Sequence, residues 1–340
     1  MSEKWIYWLD ELSKGDYHIV GKKCANLGEM ARAGFPVPRG FALSISAYSM
    51  FMNLTGAAEE IEDYVKDHKP TADDIDGIRQ LSLKMRETIM SKTIPEEMSR
   101  DILSYYSKLC DDAGIQDLAV STRSAGAVSH PGQYETYLNV KGREDLLDKI
   151  RKVWASTCNE RSVAFRITKD LPLSNEPIGV AVLSMVKARS AGIVFGADPN
   201  TGDTTKVIVE ANWGLGESVV SGELMPDRWV LDKETLEIRE RTLGKKDKST
   251  VCLDCGIEDA ELSPEKACSY CVNDEELHEI TTLANKLEAH FGMPQDIEWA
   301  VDEDKPFPNI VLLQTRPVVI AKQNAVDQVL DLMLGMFAVK

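Results

Sequence analysis

The sequence predicts an α+β protein built of two lobes, and three observations carry that prediction. Its 340 residues exceed what one compact core usually holds. Helical periodicity dominates up to about residue 170, and β-rich runs dominate beyond the break "LPLSNEP" at 171–177. Helices and strands do not alternate in a regular βαβ order, which argues against a doubly wound sheet.

Taken in order, "KKCANLGEMARAGFPVPRGFAL" keeps helical spacing through Leu27, Met30 and Ala31. Gly34 and the Pro36/Pro38 pair end it, and a short strand follows. From Ala57 to Gly114 the pattern is helical, with breaks near Pro70 and Pro95. "LAVSTRSAGAVSHPGQYETYLNV" reads as a strand, a loop of small residues and a second strand over Tyr137 to Val140. A helical segment over Arg143 to Lys169 precedes β-runs at Gly179 to Val186, Ala191 to Phe195, Val207 to Glu210 and Arg228 to Asp232. The helix "NDEELHEITTLANKLEAHFG" leads into two strands between Asp296 and Ile320, and "NAVDQVLDLMLGMF" closes the chain as an amphipathic helix. The expected division is 1–177, 178–320 and a helical tail at 321–340.

A net charge of −16 argues against a chain that embraces nucleic acid or an anionic membrane over its whole surface. No apolar run approaches the roughly 18 residues that span a bilayer, and the N-terminus lacks a basic region followed by an apolar one. A cytoplasmic location is therefore expected. Seven cysteines, an odd count without a secretory signal, read as thiols or metal ligands rather than disulfides.

Strand periodicity supplies the first candidate site. In "QDIEWAV" Asp296 and Glu298 point to one face of a strand while Ile297 and Trp299 point to the other, and in "LLQTRP" Gln314 and Arg316 share a face. Carboxylates suit Mg²⁺, and Arg suits the phosphate oxygens that Mg²⁺ also bridges. The same spacing also fits a surface salt bridge between exposed strands. Arg123, followed by "SAGAVSHPG", supplies a fixed charge and backbone N–H groups able to approach phosphates. No GxxxxGK[ST] loop is present, which argues against a P-loop nucleotide fold. "VEANWGLGESVVSGELMPDRWV" adds Glu210 and Glu217 around Gly214 and Gly216, and reads equally as a strand-to-helix turn with a buried Trp.

These segments, with "VWASTCNERSVAFR" and "AGIVFGADPNTGD" between them, resemble in order the ATP-binding domain of the phosphoenolpyruvate synthase and pyruvate phosphate dikinase family. The resemblance covers nearly the whole chain. It implies an ATP-grasp fold, two α+β lobes closing on Mg-ATP. It further implies that Lys23 and Arg123 hold phosphates, that Gly132 and Thr136 line the phosphate loop, and that Glu298 and Gln314 hold Mg²⁺. Arg316 is then expected on the transferred phosphoryl group, with Glu217 and Asp296 in support. Three positions depart from the family pattern: Lys22 replaces a glycine, Leu183 stands where an adenine-contacting Gln is expected, and Gly196 replaces a Thr.

Family members pass phosphate from ATP to a histidine on a mobile domain, and the sequence carries no such domain. His130 lies inside the phosphate loop without the Ser-His-x-Ala context, so it is not expected to be phosphorylated. The expectation is a split dikinase, resembling phenylphosphate synthases, in which a partner subunit carries the histidine and phenol is phosphorylated with release of AMP and phosphate. The closing helix either docks that partner or packs on its own lobe. Competing expectations are a nucleotide-sensing regulatory module and the ATP-binding part of a one-chain phosphoenolpyruvate synthase or antibiotic phosphotransferase. Separately, Cys252, Cys255, Cys268 and Cys271 form a CxxC pair repeated at a spacing that can close around Zn²⁺.

Overall fold

The computed structural model describes residues 4–126, 134–173, 176–220, 222 and 224–320. The chain divides into two compact units, and the predicted α+β class holds. The expected tail helix lies outside the described residues.

The first unit comprises residues 1–34, 38–185 and 252–257. Its sheet contains β1 (Ile6–Trp8), β2 (Gly40–Leu43), β3 (Val120–Ala125), β4 (Thr136–Val140) and β5 (Gly179–Ser184) in the order β1-β2-β5-β3-β4. Every pairing is antiparallel. Phe41, Leu43, Val120, Val180 and Val182 join one core with side chains of the helices Ile45–Leu54, Ile75–Ser91 and Arg143–Ala155. Phe51 and Trp154 stack at its centre, ring centroids 4.8 Å apart. Each such buried side chain contributes about 1.5–3 kcal/mol.

The units divide after Met185 rather than near Pro177. The reason is that β5 pairs on one edge with β2 and on the other with β3, so it is the middle strand of the first sheet. The break "LPLSNEP" precedes a strand of that sheet. The helical segment expected over Arg143 to Lys169 is likewise interrupted: Arg143–Ala155 ends in a tight turn, and Asn159 caps a new helix, Glu160–Thr168, by accepting from Ser162 N at 2.8 Å. Arg166 in that helix is buried and satisfied, donating to Thr157 O (2.6 Å) and Leu173 O (2.9 Å) and pairing with Glu176.

The second unit comprises residues 35–37, 186–251 and 258–320 among those described. Its antiparallel sheet takes β6 (Ala188–Phe195), β7 (Lys206–Trp213), β8 (Asp227–Asp232), β9 (Ile238–Thr242), β12 (Gln295–Asp302) and β13 (Ile310–Pro317) in the order β13-β12-β6-β7-β8-β9. β10 (Lys248–Cys252) and β11 (Ile257–Glu261) pair as a separate two-stranded ribbon. Ile297, Trp299 and Val301 alternate along β12 and are completely buried. The helix Asp274–Phe291 packs against this strand and buries Leu277, Ile280, Ala284 and Leu287. A capping box starts that helix: Asn273 Oδ1 accepts from Glu276 N at 2.9 Å and Glu276 Oε2 from Asn273 N at 3.1 Å.

One ion pair in this unit is wholly removed from solvent. Lys246 and Asp227 have fully buried side chains and bond to each other; Lys246 Nζ also donates to Ser269 O at 2.8 Å. Asp227 accepts further bonds from Gly244 N and Cys271 N, both at 2.9 Å. Buried charges persist only when paired and hydrogen-bonded in this way. Among the described residues no helix is long and apolar enough to cross a membrane.

Candidate functional site

On the second sheet, the residues expected to share a face are register partners. Across β12 and β13, Glu298 lies opposite Gln314 and Asp296 opposite Arg316. Ile297 and Trp299 point the other way into the core and fix the register, because a slip of one residue would expose both. Arg316 Nε donates to Asp296 Oδ2 at 2.7 Å. This contact engages Nε rather than the two terminal guanidinium nitrogens. Burial raises the pKa of Asp296, and the Arg316 charge opposes that rise. Gln314 Oε1 is buried without a hydrogen-bond partner among the described residues, an arrangement that costs about 1–3 kcal/mol unless a donor or cation meets it.

The same face continues across the sheet. Glu298 lies opposite Ile193 on β6, Ile193 opposite Glu210 on β7, and Glu210 opposite Arg228 on β8. Arg228 was not singled out from the sequence. Its period-2 placement in "DRWVLD" was legible, but the strand order that sets it beside Glu210 was not. Glu217 opens the short helix Glu217–Val220. The turn before it requires Gly214, whose φ is +73° and whose Cβ, if present, would overlap the carbonyl oxygen of Thr250. Asn212 braces the turn, donating from Nδ2 to Lys248 O at 2.9 Å and to Ser218 Oγ at 3.3 Å.

On the first sheet, Arg123 of β3 lies opposite Thr136 of β4 and Ala181 of β5, and Leu183 opposite Ser121 and Gly40. Arg123 and Leu183 therefore share a face, with Leu183 buried. Lys22 and Lys23 open the helix Lys22–Arg32, in which no acidic residue occupies the first turn. Two cations at the positive end of a helix are unfavourable unless an anion joins them. Gly21 makes this geometry possible: its φ is +81°, a Cβ would overlap the carbonyl oxygen of Ala125, and Lys22 N donates to Gly126 O at 3.0 Å. Burial pushes the Cys24 thiol up to about 12, while the charges of Lys23 and Arg123 pull the other way. Both cations are thus near that thiol. Gly132 and His130 lie outside the described residues.

The two halves of the expected four-cysteine zinc site fall in different units. Cys252 and Cys255 belong to the first unit, Cys268 and Cys271 to the second. Among the described residues, no group of three or more His, Cys, Asp or Glu is placed to hold a metal ion. Cys271 is buried beside Asp227, and burial together with that carboxylate raises its thiol pKa. A raised pKa disfavours the thiolate that Zn²⁺ needs. The spacing was legible, but the assignment of its halves to different units was not. Alkylation of the native protein followed by peptide mass mapping should modify the exposed Cys252, Cys255 and Cys268 and spare the buried Cys24, Cys158 and Cys271. Metal analysis should find well below one zinc per chain; stoichiometric zinc with all four cysteines protected would contradict this structure.

Comparison with known proteins places these residues in a family. The probable phosphoenolpyruvate synthase of Staphylothermus marinus is 36% identical over 92% of this chain and 41% of its own length. The phosphoenolpyruvate synthases of Aeropyrum pernix and Pyrococcus furiosus are 35% and 32% identical over 93% and 96% of this chain. The chain spans less than half the length of these relatives: 42% of the former and 45% of the latter. The family model for the pyruvate phosphate dikinase AMP/ATP-binding domain matches residues 17–333, and the mixed α+β architecture is consistent with an ATP-grasp-like domain. The chain therefore belongs to the pyruvate phosphate dikinase AMP/ATP-binding domain family.

Proposed function

We propose that this chain binds Mg-ATP and delivers a phosphoryl group to a histidine carried elsewhere in the enzyme, with AMP and phosphate released. The observation that carries the reading is the pair formed by Glu298 and the partnerless, buried Gln314 Oε1 directly opposite it. A carboxylate and an amide oxygen side by side fit a hard, oxygen-seeking cation, so these two residues would hold Mg²⁺. Held there, Mg²⁺ would supply charge neutralisation to the phosphates. Arg316, oriented through Nε by Asp296, would present its remaining nitrogens to the transferred phosphoryl group. In the first unit, Lys23, Arg123 and Thr136 would hold phosphate oxygens, with Gly132 in the same role and Leu183 against the base. Glu217 would support the nucleotide from the turn that Gly214 and Asn212 fix. Such transfer needs positioning and charge neutralisation rather than a covalent protein acid or base.

A subunit carrying the phosphohistidine domain and the acceptor site is the proposed partner. The resemblance to split enzymes favours phenol as acceptor, whereas the relatives' names favour phosphoenolpyruvate as product. Chromatography of nucleotides after incubation with Mg-ATP, with and without the partner-containing fraction of the native lysate, separates these. AMP formed only with phenol, or only with pyruvate, identifies the acceptor. ATP that is bound but intact in every mixture would support a sensing module instead.

Glu298→Gln tests the metal assignment. The variant should still bind ATP, but the Mg²⁺ concentration that half-saturates tight ATP binding should rise at least ~10-fold, as expected when one charge-assisted ligand is lost. An unchanged Mg²⁺ requirement would remove Glu298 from the metal site.

A further inference from the structure

Glu210 has no part in the metal pair, in the phosphate cations or in the Arg316 clamp, yet it stands on the same face as Glu298 and Gln314. β6 is the one strand between β12 and β7, so Glu210 lies two strand spacings, about 10 Å, from Glu298. That is about the reach from the terminal phosphates of an extended nucleoside triphosphate to its ribose hydroxyls. The neighbours of Glu210 on this face, Ile193, Ile208 and Val230, are buried and apolar. Its charged neighbour, Arg228, approaches only to 3.6 Å from Nε, longer than a hydrogen bond. Burial raises the pKa of this carboxylate, and Arg228 opposes the rise only in part. A desolvated carboxylate without a close donor is costly, and a vicinal diol supplies two parallel donors that offset the cost.

We propose that Glu210 reads the sugar of the bound nucleotide, its carboxylate accepting hydrogen bonds from the ribose 2′- and 3′-hydroxyls, so that the site selects ribonucleotides over 2′-deoxyribonucleotides. The proposal rests on the nucleotide-binding reading above. Arg228 acts as a positioning residue that holds the carboxylate toward the face.

The test is equilibrium binding of Mg-ATP and Mg-2′-deoxy-ATP to the wild-type chain, E210Q and E210D. Wild type should favour ATP by about 10- to 100-fold, the range expected for a hydrogen bond to a charged acceptor. E210Q should weaken ATP binding more than 2′-deoxy-ATP binding, since the deoxynucleotide offers the carboxylate only its 3′-hydroxyl, so the preference for ATP should narrow, and retained 2′-deoxy-ATP binding shows that the variant is folded. E210D, charged but shorter, should fall between them. Equal weakening for both nucleotides, or an unchanged ratio in both variants, would overturn the proposal while leaving nucleotide binding intact. Wild type that binds neither nucleotide would overturn the nucleotide reading and this inference with it.

Discussion

Arg316→Ala should leave ATP affinity within about tenfold of wild type and reduce phosphoryl transfer by at least ~10³. The reason lies in when charge appears. In the ground state the phosphates are held by several groups, and one guanidinium among them contributes modestly. As the phosphoryl group leaves, charge redistributes over its equatorial oxygens, and a fixed cation aimed at them contributes most at that moment. On the proposed reading Arg316 is aimed in advance, because its Nε is tied to Asp296 Oδ2 at 2.7 Å, on a strand whose register the buried Trp299 fixes. Asp296→Asn should reproduce part of the loss, since it weakens the tie without removing the cation. The readout is AMP formation in single turnover with the complete enzyme, beside ATP binding measured separately. A parallel loss of binding and transfer would make Arg316 a simple anchor for the nucleotide.

Lys246→Met should destabilise the second unit by about 3–5 kcal/mol, because it leaves the Asp227 carboxylate buried without its cation. Asp227 keeps its bonds from Gly244 N and Cys271 N, but two amide donors do not replace a full charge. The melting temperature should fall by about 10 °C. The double variant Lys246→Met/Asp227→Leu should recover much of the loss, since an apolar pair of similar volume often equals a buried ion pair in stability. The two melting curves measured side by side decide the point. A double variant no better than the single one would mean that the two amide bonds to Asp227, rather than the charge pair, hold this region.

The fold class and the faces of β12 and β13 were legible because both rest on periodicity, a local property. "QDIEWAV" can bury Ile297 and Trp299 in only one register, and that register sets Asp296 and Glu298 on the opposite face. What periodicity does not contain is strand order. That Glu210 shares a face with Glu298 and Gln314 follows from β6 lying between β12 and β7, a fact set by the sheet as a whole. β9, β10 and β11 went unrecognised for a different reason: "IRERT", "KSTVC" and "IEDAE" are mostly exposed or half-buried, so no apolar alternation marks them as strands. The three-residue β1 is too short to show any period. The boundary near Pro177 was misplaced because a proline-containing break marks the end of a helix as readily as the end of a domain, and β5 is needed at the centre of the first sheet.

The first unit includes Cys252–Ile257, and the second includes Phe35–Val37. The borrowed segment is tied into the first unit by Asn139, which donates from Nδ2 to the carbonyls of Leu253 and Gly256, both at 2.7 Å, and accepts from Gly256 N. Neither unit is therefore a contiguous stretch of gene. A recombination event or a protease cut between Met185 and Val186 would produce two pieces, each missing part of its own structure and carrying a fragment of the other's. A two-piece version of this chain cut at that point is therefore expected to fold only if both pieces are present together.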